Sequence, residues 1–313
     1  MTFVLITPAR NEAAFIEGTI RSVVAQTVKP LKWVIVSDGS TDGTDDIVKR
    51  YAAEHPWIEL LRMPERQERH FAGKVHAFNA GYARMKDLPY EVIGNLDADI
   101  TFDPDYLSFL LSQFEISPEL GVAGTPFREG TFQYNYQLVS RDHVSGACQL
   151  FRRECFEAVG GYTPLKRGVD LVAVTTARMK GWKTQCFVQQ CCYHHRKQGT
   201  GMNRSVMVNY WSGYYDYVLG VYPLWQVIRS IYEMRCAPYV IGGCYLFIGY
   251  FWAMLSRVER PVSPEFVAFR KMEAMRRLRA VIGNMLSFRG FRADSPAPVA
   301  NPQVQAGTPL TGK

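Results

Sequence analysis

The sequence predicts an α/β fold: a mainly parallel sheet flanked by helices, followed by a helical appendage. Three observations carry that prediction. Short continuous apolar runs alternate with stretches of helical spacing through the first third of the chain. The runs are separated by whole helical stretches, not by tight hairpin turns, as parallel strands joined by crossovers require. Beyond Asn203 the strand signals stop and helical periodicity takes over.

The elements follow in order. TFVLIT (2–7) is apolar throughout, as expected of a parallel strand covered on both faces. Residues 12–26 place Phe15, Ile20, Val23 and Val24 at helical spacing. KWVIVSD (32–38) is the second strand, 42–53 the second helix and WIELL (57–61) the third strand. A helix is predicted over 73–85 and a fourth strand over YEVIGNL (90–96). Asp103 before Pro104 predicts an N-cap and first helical position for a helix over 104–115. LGVAGTPF (120–127) reads as a strand, and 148–162 as a strand, a short helix and a glycine stop. A helix over 168–180 ends at Gly181, and KTQCFVQ (183–189) is a further strand. From Asp294 the chain is rich in Pro, Ala, Gln and Thr, a composition that cannot bury a core and predicts disorder.

The chain has 313 residues, 47% of them hydrophobic, which is ample for a sizeable core. The formal net charge is +7, with an arginine excess after Leu255 that suits an anionic surface. The start, MTFVLITPARNE, lacks the basic and apolar regions of a signal peptide, and seven cysteines fit reduced thiols in the cytoplasm. Residues 237–255 carry no charge, a length that can span a bilayer. Arg235 and Arg257 flank both ends, and Pro238, Gly242, Gly243 and Gly249 interrupt the run. A single span would put the basic C-terminal region on the non-cytoplasmic side. The expectation is therefore a helix or hairpin in the membrane interface, with basic neighbours at the head groups.

Ligands of open α/β sheets bind beyond the carboxyl ends of the strands. Three such ends here carry TPARNE, SDGSTDG and DAD. Asp97 and Asp99 repel each other unless a cation lies between them, and hard Mg²⁺ or Mn²⁺ with diphosphate oxygens meets that need. The competing reading is a solvated turn capping the next helix, which Asp103 and Asp105 fit well. Asp38 at its strand end can accept hydrogen bonds from a base or ribose, and Asp42 or Thr44 can cap the helix that follows. Glu12 can bind a ribose hydroxyl or complement the dipole of the first helix. Neither G-x-x-x-x-G-K-[ST] nor a G-x-G-x-x-G after the first strand is present, which disfavours a P-loop NTPase and a nicotinamide enzyme. The spacing of Cys186, Cys191, Cys192, His194 and His195 matches no usual zinc pattern.

TPARNE, VSDGSTDGT, GKVHAFNAG, LDAD and GACQLFRRECFEAVGGY, in that order, resemble the successive motifs of family 2 inverting glycosyltransferases of GT-A fold over residues 1–195. The resemblance implies a nucleotide site lined by Pro8, Arg10, Glu12, Asp38, Lys74 and Asp97. It implies a Mn²⁺ or Mg²⁺ site at Asp99 with a histidine, taken as His195 although His194 lies beside it. It implies a base at Asp170, where Val169 stands in place of the family's usual glutamate. Arg66, Arg69, His70, Arg196 and Lys197 are candidates to approach the diphosphate.

The expected organisation is a GT-A nucleotide-sugar glycosyltransferase domain at 1–202, a helical, basic, membrane-associated region at 203–290 and a disordered tail at 291–313. The implied reaction takes a sugar from a nucleotide-sugar donor, UDP-linked, to a glycan or lipid-linked acceptor in cell-surface polysaccharide or glycolipid assembly. The Gln-x-x-Arg-Trp motif of processive synthases is absent, so one sugar per encounter is expected. The expected location is cytoplasmic, peripheral on the inner membrane surface, with no nucleic-acid partner. The rival readings are a non-catalytic membrane scaffold, a sugar nucleotidyltransferase and a nucleic-acid binder acting through the basic tail.

Overall fold

A computed structural model describes residues 1–65, 71–129, 140–196 and 206–286. The order of elements is β1 (Phe3–Ala9), α1 (Ile16–Val24), β2 (Lys32–Asp38), α2 (Thr44–Glu54), β3 (Ile58–Met63), α3 (Phe71–Ala83) and β4 (Val92–Leu96). Then come β5 (Ile100–Thr101), α4 (Tyr106–Ile116), β6 (Leu120–Gly124), β7 (Phe127–Arg128), β8 (Cys148–Arg152), α5 (Arg153–Val159) and α6 (Val169–Met179). The described chain finishes with β9 (Lys183–Cys186), β10 (Cys192–His194), α7 (Val206–Val218), α8 (Pro223–Glu233), α9 (Ile241–Leu255) and α10 (Pro264–Leu286).

Seven strands form one sheet in the order β3-β2-β1-β4-β8-β6-β9. It is mostly parallel, but β8 runs antiparallel to both β4 and β6. Alternation along each strand splits the core in two. Phe3, Leu5, Trp33 and Ile35 point to one face and pack with Ile16, Ile20 and Val48 of α1 and α2. Val4, Ile6, Val34 and Val36 point to the other and pack with Val75 and Phe78 of α3, Phe156 of α5 and Val174 of α6. Trp33 is fully buried, and its indole N–H donates to Thr7 Oγ1 at 2.9 Å, so the one polar atom it carries inward has a partner.

A second, three-stranded sheet, β5-β10-β7, lies against the first core. β10 pairs antiparallel with β5, setting His194 opposite Ile100 and Tyr193 opposite Thr101.

The expected start of the fourth helix moves. α4 begins at Tyr106 with Asp105, not Asp103, as the preceding residue. The carbonyls of Asp103 and Pro104 are taken by the Gln26 side chain at 2.7 Å and the Thr27 N–H at 2.9 Å, which ties that corner to the end of α1. The α2 start differs too. Its N-cap is Gly43, at φ +90°, while Asp42 Oδ1 accepts the Thr44 N–H at 3.1 Å.

Among the described residues, 206–286 build helices only. α7 and α9 meet at glycines: a side chain added at Gly213 would meet the Leu246 carbonyl oxygen at 1.9 Å, and one at Gly249 would meet that of Tyr210 at 1.9 Å. α10 is fastened to α6 by Arg178, whose Nε donates to Glu273 Oε1 at 2.7 Å and whose Nη2 donates to Oε2 at 3.1 Å. The expected disordered tail lies outside the described residues, as do Arg66, Arg69, His70 and Lys197.

Candidate active site

The carboxyl ends of β1, β2 and β4 lie side by side in the sheet, so their following loops share one edge. The first two loops are laced together. Asn11, at φ +54°, donates its N–H to Ser40 Oγ at 3.1 Å and accepts the Thr41 N–H at 2.9 Å. Glu12 donates its N–H to Thr44 Oγ1 at 2.8 Å. Pro8 and Arg10 sit at the end of β1, and Arg10 Nη1 lies 4.0 Å from Asp38 Oδ2. Four of the predicted nucleotide residues, Pro8, Arg10, Glu12 and Asp38, thus occupy one bonded corner.

Asp97 and Asp99 follow β4 in a turn. The Asp97 N–H is held by the Ala147 carbonyl at 2.9 Å, and the Thr19 hydroxyl lies 2.8 Å from the carbonyls on both sides of Asp99, at Ala98 and Ile100, its one O–H shared between them. Asp97 forms an ion pair with Lys74 of α3. Burial pushes the Asp97 carboxyl above its ordinary range; the Lys74 charge pulls it back only in part, and Asp99 pushes it further up. Burial acts to lower the Lys74 ammonium, but the charge and hydrogen bond of Asp97, with the charges of Asp170 and Asp99, together outweigh it, and the ammonium sits above its ordinary value.

Asp97, Asp99 and His194 each present one ligand atom, all within 4.8 Å of one another. Period two along β10 explains why the histidine is His194 and not the expected His195. Cys192 and His194 turn inward, while Tyr193 and His195 are exposed. His195 Nε2 lies 2.8 Å from Thr101 Oγ1, and its backbone N–H donates to the Asp99 carbonyl at 2.9 Å. His194 Nδ1 is bonded to the Arg196 carbonyl, which requires an N–H at Nδ1. In the neutral ring that leaves Nε2 bare, 3.5 Å from Asp99 Oδ1. Two carboxylate oxygens and an imidazole nitrogen form a donor set that suits Mn²⁺ or Mg²⁺, and the residues fit such an ion.

Arg196 is tied to Glu12 by an ion pair, lies 3.6 Å from Asp99 Oδ2 and stacks over Phe15 at 5.4 Å. It therefore joins the nucleotide corner to the acid pair.

Asp170 stands in the first turn of α6, after Gly168 at φ +76°. Its Oδ2 accepts the Gly146 N–H at 3.2 Å. A cavity of about 210 Å³ brings it together with Lys74 and Asp97. Asn95, Gly146 and Tyr162 also line that cavity and were not singled out from the sequence. Gly146 has a visible reason to be there: an added Cβ would lie 3.0 Å from Asp170 Cβ. The glycine inside GACQLF was the available signal. Asn95 Nδ2 donates to the Gly146 carbonyl at 2.8 Å, and Tyr162 donates to Gln149 Oε1 at 2.6 Å.

A Rossmann-like mixed sheet with an acid pair, basic partners and a separate carboxylate at one edge is a fold and site of GT-A type. A family model described as "Glycosyl transferase family 2" matches residues 4–172, and the chain belongs to that family. It is 30% identical over 210 residues to a poly-beta-1,6-N-acetyl-D-glucosamine synthase of Staphylococcus epidermidis, a match covering 59% of this chain and 46% of the relative. A synthase of the same description from Staphylococcus aureus strain COL is 31% identical over 117 residues, 37% of this chain and 26% of that one. The chain thus spans less than half the length of these curated relatives.

Among solved structures, the mannosyltransferase PcManGT from Pyrobaculum calidifontis, in complex with GDP-Man and Mn²⁺, aligns with a TM-score of 0.55 at 20% identity. That alignment covers 91% of this chain and 83% of that one. S. aureus TarS 1-349, in complex with UDP-GlcNAc, aligns with a TM-score of 0.54 at 15% identity, covering 88% and 79%. At these identities the likeness shows the fold.

Proposed function

We propose that the chain moves one sugar from a UDP-linked donor to an acceptor hydroxyl with inversion at the anomeric carbon. The observation that carries this reading is one cavity lined by Asp97, Lys74 and Asp170 together. Inversion needs a base on one face of the sugar and stabilisation of the leaving group on the other, so two separate carboxylate stations fit it.

Asp170 takes the proton of the acceptor hydroxyl as its oxygen bonds to the anomeric carbon and the bond to the diphosphate breaks. The Gly146 N–H fixes the carboxylate's direction while leaving its other oxygen to the substrate. Asp97, Asp99 and His194 would hold the cation, which when bound supplies charge stabilisation to the departing diphosphate. Lys74 and Arg196 place two further cations where diphosphate oxygens would lie. Pro8, Arg10, Glu12 and Asp38 form the seat for base and ribose.

UDP-GlcNAc is the first donor to test, because the TarS complex contains it and the staphylococcal relatives make an N-acetylglucosamine polymer. The acceptor is a glycan or lipid-linked glycan met at the cytoplasmic face of the membrane, in cell-surface polysaccharide or glycolipid assembly. The test is UDP release from a panel of nucleotide sugars with Mn²⁺, beside the shift in melting temperature that UDP and Mn²⁺ produce. We expect stabilisation in the wild type and its loss in Asp99→Ala. Undiminished turnover with excess chelator would overturn the reading.

A further inference from the structure

α8 is built inside out for a helix in water. Leu224, Ile228 and Ile231, at i, i+4 and i+7, are 50%, 37% and 54% exposed, while Gln226 and Ser230 on the other side are 0% and 1% exposed. Among the described residues, neither the Gln226 amide nor the Ser230 hydroxyl has a hydrogen-bond partner. A soluble helix keeps its polar residues outward and its apolar stripe in. Here both are reversed, at the cost of leaving buried polar atoms unsatisfied.

α9 has no polar side at all. Gly242, Gly243, Leu246, Gly249, Tyr250 and Ala253 form its buried face. The opposite face presents Ile241, Ile248, Trp252 and Leu255, each more than half exposed. Tyr239 and Val240, in the turn joining the two helices, are 70% and 58% exposed. Exposed apolar residues thus recur on α8, in the turn and on α9, interrupted in sequence by the exposed Arg235. Exposed apolar residues gathered in this way mark an interaction site.

The residues around it say what covers it. Arg235 and Arg257 are exposed at either end of the uncharged run, and Lys271, Arg276 and Arg279 are exposed on α10. Lys271 Nζ lies 5.6 Å from the ring of Tyr222, the residue from which α8 starts. The cationic side of α10 thus adjoins the start of the apolar surface. A second copy of the chain seated on this surface would bring two sets of these cations to one interface with no added negative charge. A bilayer with anionic head groups meets both demands, with acyl chains for the apolar residues and phosphates for the cationic rim. α9, at 15 residues, is about 22 Å long, short of the roughly 30 Å hydrocarbon core. No helix among the described residues is long and apolar enough to cross a membrane.

We propose that the α8–α9 hairpin seats in a single leaflet of an anionic bilayer, with Arg235, Arg257 and the exposed lysine and arginines of α10 at the phosphates. This deepens the membrane part of the functional reading and rests on no step of sugar transfer. The two fail separately, because vesicle binding is read without donor or acceptor.

The test uses the full chain and flotation with two vesicle types: phosphatidylcholine alone, and phosphatidylcholine with an equal part of phosphatidylglycerol. The wild type is expected to float with the anionic vesicles and at least about tenfold more weakly with the neutral ones. The double variant Ile248→Glu, Trp252→Glu is expected to lose at least about tenfold of that binding, while keeping the wild-type melting shift with UDP and Mn²⁺. The milder pair Leu224→Gln, Ile231→Gln separates loss of binding from loss of folding. The proposal is overturned if the wild type stays with the lipid-free fraction, or if the variants bind as it does. It is also overturned if the wild type is a dimer in solution that the Glu variants dissociate, which would assign the surface to a second copy.

Discussion

The Gly146 N–H meets Asp170 Oδ2 at 3.2 Å, joining the loop before β8 to the first turn of α6. The contact holds the candidate base by its backbone-facing oxygen and depends on Gly146 having no side chain. Gly146→Ala places a methyl 3.0 Å from Asp170 Cβ. The expected outcome is a transfer rate lowered roughly 10- to 100-fold, because the base moves off its line. Donor binding should persist, and steady-state kinetics with parallel donor titration checks it.

Asp170→Asn removes the base while keeping the side chain's shape. Transfer is expected to fall by about 10²–10⁴-fold, the range for a general base. The melting shift on adding UDP and Mn²⁺ should match the wild type. Full transfer by this variant would remove Asp170 from its role.

The two neighbouring histidines give opposite expectations. His194→Ala takes away the third atom of the Asp97–Asp99 group and should weaken Mn²⁺ binding by at least about tenfold. His195→Ala, at an exposed position just past β10, should bind as the wild type does. Titration of Mn²⁺ in the presence of UDP distinguishes them.

His143 supplies a pH dependence. Burial pulls its imidazole below the ordinary 6.5; Asp170 opposes this, and Arg178, Arg270 and Arg277 add to the fall. The unfolded chain therefore binds the proton first as the pH drops. Stability held at neutral pH should decline below about 6.5, by at most about 1.4 kcal/mol per pH unit from this group. His143→Gln should flatten that part of the profile, as urea unfolding across pH 5–7 would report.

The α7–α9 contact predicts a stability effect far from the sheet. Gly213→Ala sets a methyl 1.9 Å from the Leu246 carbonyl oxygen, so the two helices must part. A loss of about 1–3 kcal/mol is expected from such overpacking. Chemical denaturation followed by helical circular dichroism measures it.

The alternating pattern made much of this legible from residues alone. KWVIVSD coincides with β2 from Lys32 to Asp38, and the Asp97–Asp99 pair falls at a strand end as its spacing suggested. Strand direction was not legible, because a buried run reads the same either way, and only its pairing shows that β8 runs opposite to β4 and β6. His194 was not separable from His195, because alternation fixes only which residues share a side. Pairing with the two-residue β5 decides which side faces the acids. The start of α4 was misplaced because Asp103 and Pro104 give their carbonyls to Gln26 and Thr27, a contact across distant parts of the chain.

The strand that delivers His194 lies beyond residue 172, where the family match stops. A fragment trimmed to the matched region would retain both aspartates and the whole Asp170 turn. It would still lack one donor atom of the trio, along with Arg196, the side chain that bridges the trio to Glu12. On the proposed reading, cation capture would be a property of the longer chain. Recombinant pieces cut at the family boundary would be poor tools for studying it.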